Sequence, residues 1–224
     1  MIAWRGSSAR LACAIAIMGL VGVGSPEAAQ QESHEPALLT VHDWLEREHR
    51  FLRRYLGVVR QAGHDYRYNY KTPELLLPVA IDLFTGCVAH NHAMEERFLY
   101  PVLRPHLADD QKKILDLILH DQQTESETVK AWMREVADDA SRTRLQDVVD
   151  RIDYLGQLIN RHIVLHEERL YPVLEALTSK EQAEILRQIA AYEQGVFGPT
   201  GRRRYEQLLT FIEEQIDAVA GRIW

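Results

Sequence analysis

Apolar residues recur three and four positions apart along most of the chain after residue 36, which is the period of an amphipathic helix. In the first such segment, 36–62, the apolar positions are Leu38, Val41, Leu45, Phe51, Leu52, Leu56 and Val59. We find no segment of useful length that alternates apolar and polar residues as a half-buried strand does. The pattern therefore predicts an all-α fold.

Local boundary signals divide the rest of the chain into helices. Thr72-Pro73 is typical of a helix start, with threonine as N-cap and proline at the first helical position. Pro101 and Pro172 are expected to bend or end the second and fourth helices. The predicted segments are a loop at 65–70, helices at 72–104, 109–137 and 144–177, a shorter helix after a capping box at 178–181, a turn at 195–201 and a helix at 205–219.

Four long helices with short connections predict an up-down-up-down four-helix bundle over residues 37–177. The last two helices, within 178–224, are then a C-terminal helical extension that packs against the bundle. The predicted domain organisation is thus a leader at 1–29, the bundle and the extension.

The leader has the pattern of a secretory signal peptide. Residues 1–10 carry two arginines and no acid, 11–24 are apolar and small, and 25–29 break the pattern. The apolar run is too short to span a bilayer comfortably. We predict export, to the periplasm if the source is bacterial. One alternative is that the leader stays uncleaved and anchors the protein in a membrane, which is the one way we expect the protein to contact a membrane. The other is that the start codon is set too far upstream and the protein is cytoplasmic.

Charge and cysteine content narrow the function classes. The formal net charge of −7 argues against nucleic acid as a partner. Cys87 is the one cysteine outside the leader, so the processed chain has no intrachain disulfide. We interpret Cys87 as a buried core thiol, with a redox or metal role as the alternative.

A motif containing Glu-Glu-Arg and Leu-Tyr-Pro-Val-Leu occurs twice, each time after histidines. The first copy lies within 90–103 and the second within 162–174. Leu99 and Leu170 mark equivalent positions, 71 residues apart. Both copies fall near the C-terminal ends of predicted helices two and four, so both can face one site across the bundle core.

The motif supplies pairs of candidate metal ligands. His92 and Glu96 are spaced i, i+4 and share a helix face. His162 and Glu167 are spaced i, i+5. Counted back from Leu-Tyr-Pro, Glu96 and Glu167 are the same carboxylate of the repeat, so we predict that these two acids bridge a metal pair.

Two further histidines complete the candidate site. His49 on helix one and His120 on helix three each sit beside apolar runs that indicate an inward face. Four imidazoles and two carboxylates suit a di-iron or di-manganese centre, and zinc or copper is also compatible with these ligands. A metal-free bundle is disfavoured, because burying so many polar groups is costly unless they are paired or bind metal.

These residues resemble those of the hemerythrin-like family, also called the HHE cation-binding domain, over about residues 37–177. The family has a histidine on helix one, His-x3-Glu on helix two, a histidine on helix three and His-x4-Asp/Glu on helix four. The resemblance implies two iron ions with an oxo or hydroxo bridge, and ranks manganese and zinc below iron. It implies that His49 and His92 serve mainly one iron, and His120 and His162 the other.

The chain departs from the oxygen-carrying members, which have a second histidine on helix three where this chain has Thr124. One metal would then be more open, which argues against reversible oxygen transport. His166 could fill the gap, and Glu95 could replace Glu96 as ligand. We interpret Tyr100 and Tyr171 as packing residues, with a hydroxyl near the metal pair as the alternative.

Our leading hypothesis is a non-haem di-iron protein that binds oxygen, nitric oxide or peroxide for sensing, scavenging or storage. The alternative is a di-iron enzyme for peroxide reduction, iron oxidation or iron–sulfur cluster repair. A third class is a signalling module that contacts an unidentified protein through its last two helices. We favour a binding protein over an enzyme.

Overall fold

The computed structural model describes residues 40–68, 73–137, 145–198 and 201–220. Within these ranges the chain is all-helical and contains no strand, as the sequence predicts. The predicted leader at 1–29 lies outside the described residues. Among the described helices, none combines the length and the apolar character that a membrane span requires.

Six helices follow one another along the described ranges. They are α1 (Val41–Tyr68), α2 (73–103, extended by the 3-10 turn Arg104–His106), α3 (Asp109–Ala137), α4 (145–174), α5 (Ser179–Phe197) and α6 (Gly201–Ala220). Helix α1 continues to Tyr68, through part of the predicted loop, because it meets no proline there and an interior glycine costs only about 1 kcal/mol. The predicted capping box at the start of α5 is confirmed: Thr178 and Glu181 bond to each other's backbone N–H.

Helices α1 to α4 form a closed ring of contacts, in the order α1–α2, α2–α3, α3–α4 and α4–α1. Helices α5 and α6 pack on α1 and α2. The described residues therefore form a helical bundle, and α5 and α6 pack on its helices α1 and α2. The boundary that the sequence places between 177 and 178 stays a prediction.

The core contains two apolar clusters with a polar layer between them. The first cluster includes Phe51, Phe84, Trp132 and Ile159, and the second includes Trp44, Met94, Leu115 and Leu174. On each of α1 to α4, buried polar residues lie at the transition from one cluster to the other. The order of the two clusters alternates from each of these helices to the next. The up-down-up-down order itself stays a prediction.

A π turn precedes each proline of the repeated motif. The turns are Glu95–Leu99 in α2 and His166–Leu170 in α4. Proline has no N–H to donate, and its ring collides with the carbonyl four residues earlier. The preceding turn widens to accommodate the ring, so α2 and α4 continue through Pro101 and Pro172 instead of ending there. Such π turns are frequent at functional sites.

Helix α6 approaches α2 closely at Gly86, where a Cβ atom would overlap the ring of Tyr205. We expect Gly86→Ala to lower the free energy of unfolding by about 1–3 kcal/mol, because the ring must move. Gly57 is the matched control, since a Cβ there meets nothing within 4 Å. Gly57→Ala should stabilise the exposed helix by about 0.5–1 kcal/mol. Urea unfolding of both variants measures this, and a neutral Gly86→Ala would contradict the close approach.

Candidate metal centre

The polar layer holds eight residues from all four bundle helices, each at most 6% exposed. They are His49 on α1, Asn91, His92 and Glu95 on α2, Gln122 and Glu125 on α3, and His162 and His166 on α4. Polar groups at this depth destabilise the fold unless they are hydrogen-bonded or bind metal. The partners of each group therefore show what the layer can do.

Six of these residues form two overlapping groups with metal-ligand geometry. One group is His49, Glu95, His162 and His166, and the other is His92, Glu125 and His162. Within each group, every residue offers one nitrogen or oxygen atom, and these atoms all lie within 4.8 Å of one another. The layer thus contains four imidazoles and two carboxylates, the donor set that the sequence predicts, drawn from a partly different set of residues.

Many of the donor atoms have no hydrogen-bond partner within the described part of the chain. They are both ring nitrogens of His92 and His162, both carboxylate oxygens of Glu125, Nε2 of His49 and Nδ1 of His166. The closest approach of His92 Nε2 to Glu125 Oε2 is 3.6 Å, beyond a normal hydrogen bond. Imidazole nitrogen and carboxylate oxygen are ligands of iron, manganese and zinc. The residues present therefore fit a metal centre.

Burial keeps the centre neutral when no metal is bound. It raises the pKa of Glu95 to about 8, although Tyr100, Gln122 and Asn91 donate hydrogen bonds to this carboxyl and oppose the rise. Burial also raises the pKa of Glu125 well above its usual range and lowers that of His92 to about 3. A metal ion that enters the centre must therefore displace protons from the carboxyls.

The raised pKa of Glu95 makes the metal-free protein less stable at higher pH. From the ordinary value of 4.5 up to about 8, the folded state keeps a proton that the unfolded state has lost. The free energy of unfolding should then fall by about 1.4 kcal/mol per pH unit for each proton kept. Above the ordinary histidine value of 6.5, the buried imidazoles are neutral in both states and add no slope. Urea unfolding of chelator-treated protein between pH 6.5 and about 8 measures the slope. Glu95→Gln should remove the share of one proton and leave the share of Glu125, whose pKa is also raised. Equal slopes in the two proteins would contradict the assignment.

The repeated motif faces the core one residue earlier than we predicted. In α2, Glu95 is fully buried and Glu96 is exposed. In α4, the equivalent residues are His166, also fully buried, and Glu167, which is 35% exposed. Adjacent residues point about 100° apart on a helix, so only one of each pair can face inward. The structure places the alternatives Glu95 and His166 in the cluster, and corrects the expected inward orientation of Glu96.

Glu167 contacts the cluster from outside. Its Oε1 lies 3.1 Å from Nδ1 of His49, and Arg53 pairs with the same oxygen. A carboxylate on the outer nitrogen of a histidine fixes the ring and leaves the inner nitrogen free to bind metal. Glu167 is thus placed to orient His49, in contrast to the bridging position that we predicted.

On α3 the structure replaces His120 with Glu125. His120 is exposed, and the hydroxyl of Thr124 donates to the His120 carbonyl oxygen at 2.9 Å. The buried positions of α3 include Leu115, Ile118, Gln122, Glu125 and Val129, which are spaced alternately three and four residues apart. His120 lies two residues from Ile118 and from Gln122, on the opposite face of the helix. Extending the apolar spacing of Leu115 and Ile118 to Val129 would have identified Glu125, because it falls on that line.

Both tyrosines of the repeated motif reach the centre with their hydroxyl groups. Tyr100 Oη lies 2.7 Å from Glu95 Oε2 and 2.8 Å from His166 Nε2. Tyr171 Oη lies 2.9 Å from His49 Nδ1. From the sequence we interpreted both tyrosines as packing residues and gave a hydroxyl near the metal pair as the alternative. The structure has the hydroxyl groups beside the cluster, as in that alternative.

Cys87 is a buried core thiol, as we predicted, with 1% exposure. Burial raises the pKa of its thiol to about 12, so almost no thiolate forms near neutral pH. In a Cys13→Ser variant, which leaves Cys87 as the single thiol, we expect the native protein not to react with a disulfide reagent and the denatured protein to react fully. The absorbance of the released thiol measures both. Rapid labelling of the native protein would contradict the buried position.

Comparison with known proteins covers the same region. The family model described as the hemerythrin HHE cation binding domain matches residues 40–174. This range contains α1 to α4 and all six donor residues of the cluster. No curated protein and no solved structure matches the chain.

Proposed function

The chain belongs to the hemerythrin HHE cation-binding family, and on that premise we propose that its buried centre binds two iron ions and takes up oxygen, nitric oxide or peroxide. Bound iron would supply redox change and exchangeable coordination positions. The observation that carries the proposal is the set of buried imidazole nitrogens and carboxylate oxygens without a partner in the described residues. Leaving such atoms unsatisfied costs about 1–3 kcal/mol each, and metal ligation removes that cost.

The two donor groups suggest two unequal metal positions. The first would be held by His49, Glu95 and His166, and the second by His92 and Glu125. His162 belongs to both groups, but a neutral imidazole offers a single nitrogen lone pair, so it serves one position. At least one position would then have fewer protein donors and more room for a small ligand. That asymmetry favours sensing, scavenging or storage over symmetric oxygen carriage.

The surroundings of the centre support ligand binding inside the bundle. The two apolar clusters lie on either side of the polar layer and keep bulk water from it. Gln122 and Asn91 donate to Glu95 at 2.6 and 3.2 Å and hold its carboxylate in one orientation. The protein side chains therefore orient the donors before any metal arrives, which lowers the entropy lost on binding.

Metal analysis and visible spectroscopy test the proposal. Protein made in iron-replete cells should hold close to two irons per chain. Its absorption should change when oxygen, nitric oxide or peroxide is added to a sample first reduced without air. Recovery of the first spectrum after ligand removal would support binding. Sustained consumption of peroxide with a reductant would support the enzyme alternative. Full helicity with no bound metal would contradict the proposal, and His120→Ala, an exposed histidine, is the control that should change nothing.

A further inference from the structure

Each copy of the repeated motif places its tyrosine hydroxyl against a histidine of another helix. Tyr100 on α2 contacts Nε2 of His166 on α4 at 2.8 Å. Tyr171 on α4 contacts Nδ1 of His49 on α1 at 2.9 Å. Tyr100 therefore contacts the Nε2 atom of its histidine, whereas Tyr171 contacts the Nδ1 atom of its histidine. Neither tyrosine belongs to the two donor groups.

The donors and acceptors around Tyr100 fix where the His166 proton lies. A carboxylate that binds metal has lost its proton and only accepts hydrogen bonds, so beside a metal-bound Glu95 the Tyr100 hydroxyl donates its one proton to Glu95 Oε2 at 2.7 Å. The Gln122 amide donates to that same oxygen at 2.6 Å and to Tyr100 Oη at 3.2 Å. Since the tyrosine proton is already used, His166 Nε2 must carry a proton of its own and donate it to Oη.

A neutral imidazole carries one N–H, so His166 then has its lone pair on Nδ1. An independent observation agrees, because Nδ1 is the nitrogen of His166 without a partner among the described residues. His166 also lies in the donor group with His49, Glu95 and His162. The Tyr100 hydroxyl therefore leaves the lone pair of His166 on Nδ1, where it is free to bind metal.

The opposite arrangement holds at His49. Its Nδ1 lies between Tyr171 Oη at 2.9 Å and Glu167 Oε1 at 3.1 Å. An ionised carboxylate only accepts hydrogen bonds, so Nδ1 of His49 carries the proton and Nε2 carries the lone pair. Nε2 is again the nitrogen without a partner among the described residues. Two groups, Glu167 and Tyr171, accept from Nδ1 of His49 and hold this tautomer. The tautomer of His166 is held by the Tyr100 hydroxyl alone.

We propose that Tyr100 is a positioning residue that fixes His166 as an Nδ1 metal ligand, while Glu167 with Tyr171 fixes His49 as an Nε2 ligand. This inference rests on the proposed metal site. Loss of the Tyr100 hydroxyl frees His166 to adopt either tautomer. Loss of the Tyr171 hydroxyl leaves Glu167 in place on His49.

Nuclear magnetic resonance on the metal-loaded protein identifies the ligating nitrogen directly. The full chain, with isotope-labelled histidine, is loaded with a spin-active cadmium isotope, and one-bond cadmium–nitrogen couplings are recorded. We expect coupling at Nδ1 of His166 and at Nε2 of His49. In Tyr100→Phe the His166 coupling should weaken or divide between its nitrogens, and cadmium affinity should fall about tenfold or more.

Three variants separate positioning from a general effect of losing a hydroxyl. Tyr192→Phe removes a hydroxyl bonded to His90 outside the centre and should leave cadmium affinity unchanged. Tyr171→Phe should lower affinity clearly less than Tyr100→Phe. Adding Glu167→Ala to Tyr171→Phe should bring the loss to about tenfold or more and disturb the His49 coupling.

The outcomes distinguish this inference from the function on which it rests. Coupling of His166 through Nε2 in the unaltered protein would overturn the positioning role and leave the metal site intact. Unchanged coupling and affinity in Tyr100→Phe would also overturn it. Absence of cadmium coupling to every histidine of the cluster would overturn the metal site itself.

Discussion

Replacing Glu95 with alanine is expected to abolish metal binding at the first position of the centre, whereas replacing its neighbour Glu96 should leave the metal content unchanged. The two residues have the same side chain and are adjacent on α2. Glu95 is fully buried among the donors and accepts three hydrogen bonds, while Glu96 is exposed. The two substitutions therefore remove the same side chain, once from a buried candidate ligand and once from the surface.

The measurement is metal per chain by elemental analysis, together with the thermal midpoint before and after metal loading. Unaltered protein and Glu96→Ala should gain stability on loading, because metal binds only the folded state. Glu95→Ala should gain far less. Glu95→Gln, which keeps the volume and removes the charge, guards against a simple cavity effect. Loss of metal in Glu96→Ala with retention in Glu95→Ala would restore the assignment made from the sequence.

Arg202→Met is expected to destabilise the fold by about 3 kcal/mol, because it leaves a buried carboxylate without its closest cation. Arg202 on α6 is 9% exposed, and its Nη1 lies 2.6 Å from Oε1 of Glu48, which is 1% exposed. Its guanidinium also lies over the Phe51 ring, 5.5 Å from the centroid. Arg47 still donates to Glu48 at 3.0 Å, which places the expected loss at the lower end of the range for a broken buried pair.

Arg203 is the matched control for this prediction, since it is the next residue of α6 and is exposed. Arg203→Met should change the free energy of unfolding by less than about 0.5 kcal/mol. The double variant Arg202→Met with Glu48→Met should recover much of the loss, because it removes both buried charges. Urea unfolding of the set gives these values. Equal effects at the two arginines would show that the buried pair contributes nothing specific.

The same network links the last helix to the centre, because Glu48 precedes His49 in α1. Arg202 pairs with Glu48 and, at 3.4 Å, with Glu193 of α5. Arg47 pairs with Glu193 at 2.6 Å. We therefore expect the Arg202→Met variant to bind metal less tightly as well. It removes an ion pair that holds Glu48, and Glu48 is adjacent to the donor residue His49.

Much of the fold follows from local sequence. The spacing of Leu45, Leu52 and Leu56 predicts α1, and the capping box at Thr178 predicts the start of α5. The rule for proline held in part, because each proline disturbs the turn before it but does not end its helix. Pro101 and Pro172 reduce helix stability, but tertiary packing keeps α2 and α4 continuous by widening one turn before each.

The sequence predicted the types of ligand in the candidate site, and it predicted only some of the residues that supply them. His49, His92 and His162 lie in the cluster, and His166 and Glu95 were open alternatives. The error concerned neighbouring polar residues. Apolar periodicity identifies an inward face, but it does not choose between Glu95 and Glu96 when both are polar and adjacent.

By itself, the sequence determined that this chain is all-helical and that His49, His92 and His162 face one core, because helical periodicity and a duplicated motif are local properties. Only the tertiary structure decided which other residues supply the polar layer. The contacts of the Tyr100 and Tyr171 hydroxyls, and the pair of Arg202 with Glu48, are all made between helices. Such contacts depend on how each helix is rotated about its axis. A shift of one residue changes that rotation by about 100°, and the packing of the whole bundle determines it.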